Sequence, residues 1–146
     1  MQCFNKPMAI AYIKGKNESS GIKGTVKFYQ KANCVLVVAN IIGLPPTTTG
    51  FFGFHIHEGT DCGGVDFSDT KSHYNPNGMP HPQHAGDLPP LMLCGNMAHL
   101  SFTTDRFKVT DIIGRTVVIH DMPDDFTSQP SGNAGQKIAC GIIKNP

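Results

Sequence analysis

The chain has 146 residues, enough to bury a sizeable core without staples, and its length suits one domain, so a single domain over residues 1–146 is expected. Twelve Lys and Arg against eleven Asp and Glu leave a net charge of +1, which excludes a broad attraction to nucleic acid or to an anionic membrane surface but not a local field at a site. No apolar run approaches the length of a membrane span.

The opening residues, Met1 to Pro7, lack the apolar stretch of a signal peptide, so a cytoplasmic chain is expected in preference to a trimmed, secreted one. Short runs rich in β-branched and aromatic residues then follow at 7–14, 23–30, 34–41 and 51–57, separated by Gly, Pro and Asn turns. Residues 58–90 form a long loop rich in Gly, Pro, His and Asp. Strand runs resume at 98–103 and 115–120, a second loop rich in Asp, Gly, Ser and Pro spans 121–137, and the run 138–143 closes the chain. Helical periodicity is weak throughout, and the pattern predicts an antiparallel sandwich or barrel. Loops this long in a compact domain are usually functional, and each begins immediately after a histidine that ends a strand.

Five cysteines, Cys3, Cys34, Cys62, Cys94 and Cys140, make an odd, scattered set with no CxxC pair. That argues against a disulfide scaffold and for a reducing compartment, without excluding one protected bridge. Cys34 and Cys94 fall in apolar runs and read as buried, inert thiols.

Seven histidines occur, and six of them lie at strand ends or in the first long loop. Side chains alternate along a strand, so His55 and His57 share one face while Phe54 and Ile56 fill the other, and two imidazoles at that spacing can grip one metal. A surface histidine pair is the alternative reading. His73, His81, His84 and Asp87 lie within fifteen residues and supply four ligands of the kind tetrahedral zinc takes, against the alternative of a polar loop with solvated rings. His120 ends the run 115–120, and spacing does not separate a ligand from an ordinary strand-end residue there. His99, inside a strand and away from both loops, is left out of the site. Imidazole-rich sites suit copper, zinc and nickel, so the pattern reaches one or two transition metals on a β scaffold and no further.

The motifs go further. Gly53-Phe54-His55-Ile56-His57-Glu58 resembles the copper-binding strand of copper/zinc superoxide dismutases, and His73-Tyr74-Asn75-Pro76 their bridging-histidine motif. His84-Ala85-Gly86-Asp87 is similar to the end of their zinc loop, and Gly114 to His120 to the strand with the last copper ligand. Gly132-Asn133-Ala134-Gly135 and Ala139-Cys140-Gly141 match the end of their active-site loop and their final strand. The resemblance spans most of the chain in the family's order. It implies an all-β, Greek-key antiparallel β-sandwich or flattened barrel with two long active-site loops, an architecture these enzymes are known for. It implies copper on His55, His57, His73 and His120, zinc on His73, His81, His84 and Asp87, and His73 as the shared bridge, with His73, His120 and Lys137 nearest the catalysis. Asp124 matches an aspartate linking a copper histidine to a zinc histidine, a contact that fixes ring orientation and tautomer, whereas Asp125 reads as solvated. Cys62 and Cys140 match the family's disulfide, which leaves Cys3, Cys34 and Cys94 free.

The implied activity is disproportionation of superoxide to oxygen and hydrogen peroxide, His73 changing protonation as copper cycles, with no nucleic-acid or membrane partner. Family members are dimers or monomers, so a homodimer and a copper chaperone are the protein partners the resemblance allows. Three departures stand out. Lys137 occupies the place of the family's anion-guiding arginine, which keeps the charge and loses the planar fork. Only Pro82 and Gln83 separate His81 from His84, fewer than in the familiar eukaryotic members, and 121–137 is short, with no Glu or Lys before Lys137, which implies weaker long-range steering; this short loop and Gly86-Asp87-Leu88-Pro89-Pro90 look more like bacterial members. A copper-delivery relative would be missing copper ligands, a zinc hydrolase would need an open zinc position with a general base, and a structural zinc protein would leave His55, His57 and His120 without a role.

Overall fold

The computed structural model describes residues 6–146, so Cys3 lies outside the described residues. Nine strands follow one another: β1 (Ala9–Gly15), β2 (Lys23–Gln30), β3 (Val35–Ile42), β4 (Phe51–Phe52), β5 (Phe54–His57), β6 (Leu91–Met92), β7 (Met97–Thr104), β8 (Thr116–His120) and β9 (Lys137–Lys144). Among the described residues the α-helical content is one turn, α1 (Val109–Ile112), and no helix is long and apolar enough to cross a membrane.

Seven strands make one curled antiparallel sheet in the order β5-β8-β9-β1-β2-β3-β7, and β4 pairs with β6 separately. Strands β1 to β3 are consecutive hairpins. The chain then crosses to β5 at the far end, returns to β7 beside β3, and crosses again to β8 beside β5. These crossings place both long loops, residues 58–90 and 121–136, at the β5–β8 end.

The core follows from period-2 alternation. In β3, Val35, Val37, Ala39 and Ile41 point inward, and they meet Phe28, Ile13, Phe54, Ile56, Ile119 and Ile143. Each of these fully buried Val, Ile and Phe side chains contributes roughly 1.5–3 kcal/mol over leaving it exposed.

The expected strand 51–57 is divided at Gly53. A Cβ there would lie 2.8 Å from Cβ of Ala134 and 3.2 Å from Cβ of His120, so the second loop presses directly on this backbone. The Gly53 N–H donates to Met122 O and its carbonyl accepts from His120 N–H, which turns the chain from one pairing to the next. The two-residue strand β6 escaped the sequence reading because it is too short to show a period.

The buried reading of Cys34 and Cys94 is corrected: Cys34 is partly exposed and Cys94 exposed. Residues 91–94 run extended with Leu91 and Leu93 inward, so Met92 and Cys94 face solvent, while Cys34 sits in the turn before β3. Cys62 and Cys140 are joined, tying the first loop to β9 across 78 positions. Closing a loop of that size stabilises by roughly 4–5 kcal/mol in the chain-entropy model.

Candidate metal centre

His55 and His57 lie on β5, and His120 is the last residue of β8, its antiparallel neighbour. Phe54 and Ile56 are buried in the core and the two histidines are buried on the opposite face, which is the alternation read from the sequence. That face is covered by the first loop, which folds back along the outer edge of β5. His73 bridges to His57 and Asp87 to His55, and backbone bonds from Ile56 N–H to Gly86 O and from Tyr74 N–H to Ile56 O hold the loop there. Two ligand-type sets result: His55, His57, His73 and His120, and His73, His81, His84 and Asp87. Within each set the potential ligand atoms all lie within 4.8 Å of one another, and His73 belongs to both.

Hydrogen bonds fix which nitrogen of each ring carries a lone pair, since a neutral imidazole has one donor and one acceptor. His55 Nε2–H donates to Asp124 Oδ2 at 2.7 Å, leaving Nδ1 buried with no partner. His57 Nδ1–H donates to Lys71 O at 2.8 Å, and His120 Nδ1 faces Gly135 O at 3.5 Å. Their Nε2 atoms, both lone-pair bearing, therefore confront each other at 3.2 Å. Two lone pairs at that distance repel unless a cation lies between them. His81 Nε2–H donates to Asp124 Oδ1 at 2.8 Å, and its Nδ1 is 3.1 Å from Asp87 Oδ2 outside hydrogen-bond geometry. His73 Nδ1 lies 2.8 Å from Asp87 Oδ1 and 3.2 Å from His84 Nδ1, and its Nε2 is buried with no partner in the first set. Converging, unpartnered nitrogens with one carboxylate are the donor chemistry of a copper–zinc pair, and the residues present fit both metals.

Electrostatics keep His55, His57 and His120 neutral. Burial pushes His55 down to about 4, although its bond to Asp124 opposes this. Burial, reinforced by His55, takes His120 to about 3, and burial with the neighbouring His120 and His73 holds His57 well below its ordinary value. Burial opposes ionisation of Asp124, but hydrogen bonds from His55, His81 and the Phe126 N–H outweigh it and hold the carboxyl well below the usual range. Asp87 behaves alike, burial being outweighed by His73, His81 and His84. Gly132 makes room for the Asp124 bridge, since a Cβ there would fall 2.0 Å from Asp124 Oδ1 and 2.6 Å from His81 Nε2.

An open cleft of about 530 Å³ leads to the first set, lined by His57, His73, His120, Glu58, Lys71 and Lys137. Lys137 Nζ donates to Thr70 Oγ1 at 2.8 Å and to Lys71 O at 3.0 Å, and burial lowers its pKa. The Lys71 carbonyl thus serves His57 and Lys137 together. The peptide that aims it has φ 60° and ψ −144°, conformations that side-chain-bearing residues rarely adopt. Lys71 was missed from sequence, because a carbonyl leaves no residue-type signature. The residues left outside the site stay outside it: His99 is exposed and pairs with Asn40, and Asp125 is exposed and caps Thr127 and Ser128.

The family model described as copper/zinc superoxide dismutase matches residues 22–143. A protein of Aquifex aeolicus (strain VF5) named copper-zinc superoxide dismutase 2 is 34% identical over 143 residues, 88% of this chain and 82% of its own length. A second from the same organism, named copper-zinc superoxide dismutase 1, is 35% identical over 136 residues, 83% of this chain and 79% of its own length. With the matched region holding both ligand sets, the chain belongs to the copper/zinc superoxide dismutase family, and copper and zinc are its metals.

Proposed function

We propose that this chain, as a single domain over residues 1–146, disproportionates superoxide with copper on His55, His57, His73 and His120 and zinc on His73, His81, His84 and Asp87. The observation that carries this reading is the sharing of His73, whose two ring nitrogens point into two different sets.

When bound, copper supplies one-electron oxidation and reduction of superoxide, and zinc a closed, redox-inert positive charge. The chain's own residues do the rest. Two superoxide anions and two protons give one oxygen and one hydrogen peroxide. Nε2 of His73 takes up a proton in the first half of the cycle and releases it in the second, while Nδ1 stays among Asp87, His81 and His84. Asp124 holds His55 and His81 in the tautomers that keep Nδ1 free on both rings. Lys137 holds the anion at the floor of the cleft. The test is metal analysis with a superoxide-decay assay on protein reconstituted with each metal. Two metals per chain and copper-dependent decay are expected, and decay unchanged without copper would overturn the reading.

Lys137 has its own test. Superoxide offers few contacts, so rate depends on arrival and holding, and superoxide dismutases are a known case of steered, near-diffusion-limited catalysis. Lys137→Gln should lower kcat/KM several-fold, a part of the ~10–10³-fold that steering can provide, and flatten its ionic-strength dependence. Lys137→Glu should lower it further and invert the salt effect, because added salt then screens repulsion. Lys137→Arg should be tolerated. Superoxide decay by pulse radiolysis across a salt series, with copper content matched, decides it. Unchanged rate and slope in the Gln and Glu variants would make Lys137 an ordinary solvated lysine.

A further inference from the structure

Two side chains outside both ligand sets converge on the short turn between His81 and His84. Gln129, from the second loop, pairs with the backbone of His81 in both directions: Nε2 donates to His81 O at 2.7 Å and Oε1 accepts from His81 N–H at 2.9 Å. Arg106, from the segment after β7, donates from one Nη1 to Pro82 O at 2.8 Å and to His84 O at 3.2 Å. Inside the turn, Gln83 N–H bonds to Pro80 O at 2.8 Å and His84 N–H to Asp87 Oδ2 at 3.0 Å. The backbone from 81 to 84 is therefore held from two sides by residues 48 and 22 positions away in sequence.

We propose that Gln129 and Arg106 are positioning residues for the zinc set: they preset the turn so that Nδ1 of His81 and His84 face the Asp87 carboxylate before metal arrives. The inference rests on assigning zinc to that set. With only two residues between the histidines, the turn has few internal bonds of its own to fix both rings, and the clamps replace them. A ligand aimed in advance loses less freedom on binding, so the gain appears as tighter zinc and slower release. Because Gln129 belongs to the second loop, each clamp also joins zinc to a different part of the fold.

The experiment follows zinc release from metal-loaded protein into excess chromogenic chelator. Gln129→Ala and Arg106→Ala should each speed release about tenfold, the low end of the ~10–100-fold loss that removing outer partners of metal ligands produces. Gln129→Asn is too short for both bonds, and the lysine of Arg106→Lys ends short of the Nη1 position that serves both carbonyls, so each should release zinc faster than wild type and more slowly than its alanine variant. These two variants keep the test open if an alanine variant fails to fold. The metal-free melting temperatures should stay near wild type, which a merely structural role would not allow. Cobalt(II) placed in the zinc set should show an altered ligand-field spectrum in the alanine variants. Asp87→Ala run in parallel separates the two claims. If it releases zinc like wild type, the zinc assignment fails. If it loses zinc while the Gln129 and Arg106 variants release within twofold of wild type, the positioning role is overturned.

Discussion

His120→Ala is expected to abolish superoxide disproportionation while leaving zinc bound and the fold intact. The ring belongs to the first set alone, with Nε2 facing His57 Nε2 at 3.2 Å, and nothing in the second set touches it by hydrogen bond. Removing it takes away one of four converging nitrogens and opens the end of the set that faces the cleft. The loss should exceed the ~10–100-fold that deleting an outer partner of a ligand costs, since a ligand itself is gone. The fold should survive because His120 is held in β8 through backbone bonds, its N–H to Gly53 O among them, which alanine keeps. Two lone pairs no longer confront each other, so the metal-free protein loses a repulsion along with the ring. Pulse radiolysis with copper and zinc content measured on the same sample checks this. Near-normal activity in the copper-reconstituted variant would remove His120 from the site.

Asp87→Ala should lower zinc affinity and thermal stability together. Asp87 is the anion of the second set, and its two oxygens contact all three rings: His73 at 2.8 Å, His81 at 3.1 Å and His84 at 3.3 Å. It also accepts the His84 N–H, so one side chain both gathers the three rings and closes the turn that carries two of them. A loss of at least about a hundredfold in zinc affinity is expected, equivalent to roughly 2.8 kcal/mol at ~1.4 kcal/mol per factor of ten. Metal binding is coupled to folding, so the melting temperature of the zinc-treated variant should fall to near that of the metal-free protein. The Asp87 carboxyl lies below the ordinary carboxylate value, so its contribution is complete at neutral pH and disappears only as acid brings the pH down through that lowered value. Calorimetry at neutral pH with and without zinc measures the effect. A zinc-loaded variant melting with wild type would exclude Asp87 as a ligand.

The parts legible in the sequence are those that side-chain type and period encode. His55 and His57 share a face because strands alternate, and the loops announced themselves by composition and by the histidines that open them. The two ligand-type sets could be named from motif, but how residues 73 and 87 reach β5 could not. That approach runs through the backbone of Ile56, Tyr74 and Gly86, which any residue could supply. Gln129, Arg106 and Lys71 stayed hidden for the same reason, since each acts on or through a carbonyl. The misread of Cys94 has the opposite origin: an apolar run was taken as buried throughout, when alternation puts only Leu91 and Leu93 inside.

The folding of the first loop along β5 has a consequence for how the protein behaves in company. β5 is the terminal strand of the seven-stranded sheet, and a terminal strand offers unpaired N–H and C=O groups to any chain that can align with it. Here those groups are taken by residues 72–74 and 86–87 of the same chain, through bonds that include Glu58 N–H to Ser72 O. The segment that carries His73 and Asp87 is also the guard on the edge strand of Phe54 and Ile56. Gathering the two ligand-type sets and closing this edge of the sheet are therefore done by the same stretch of backbone.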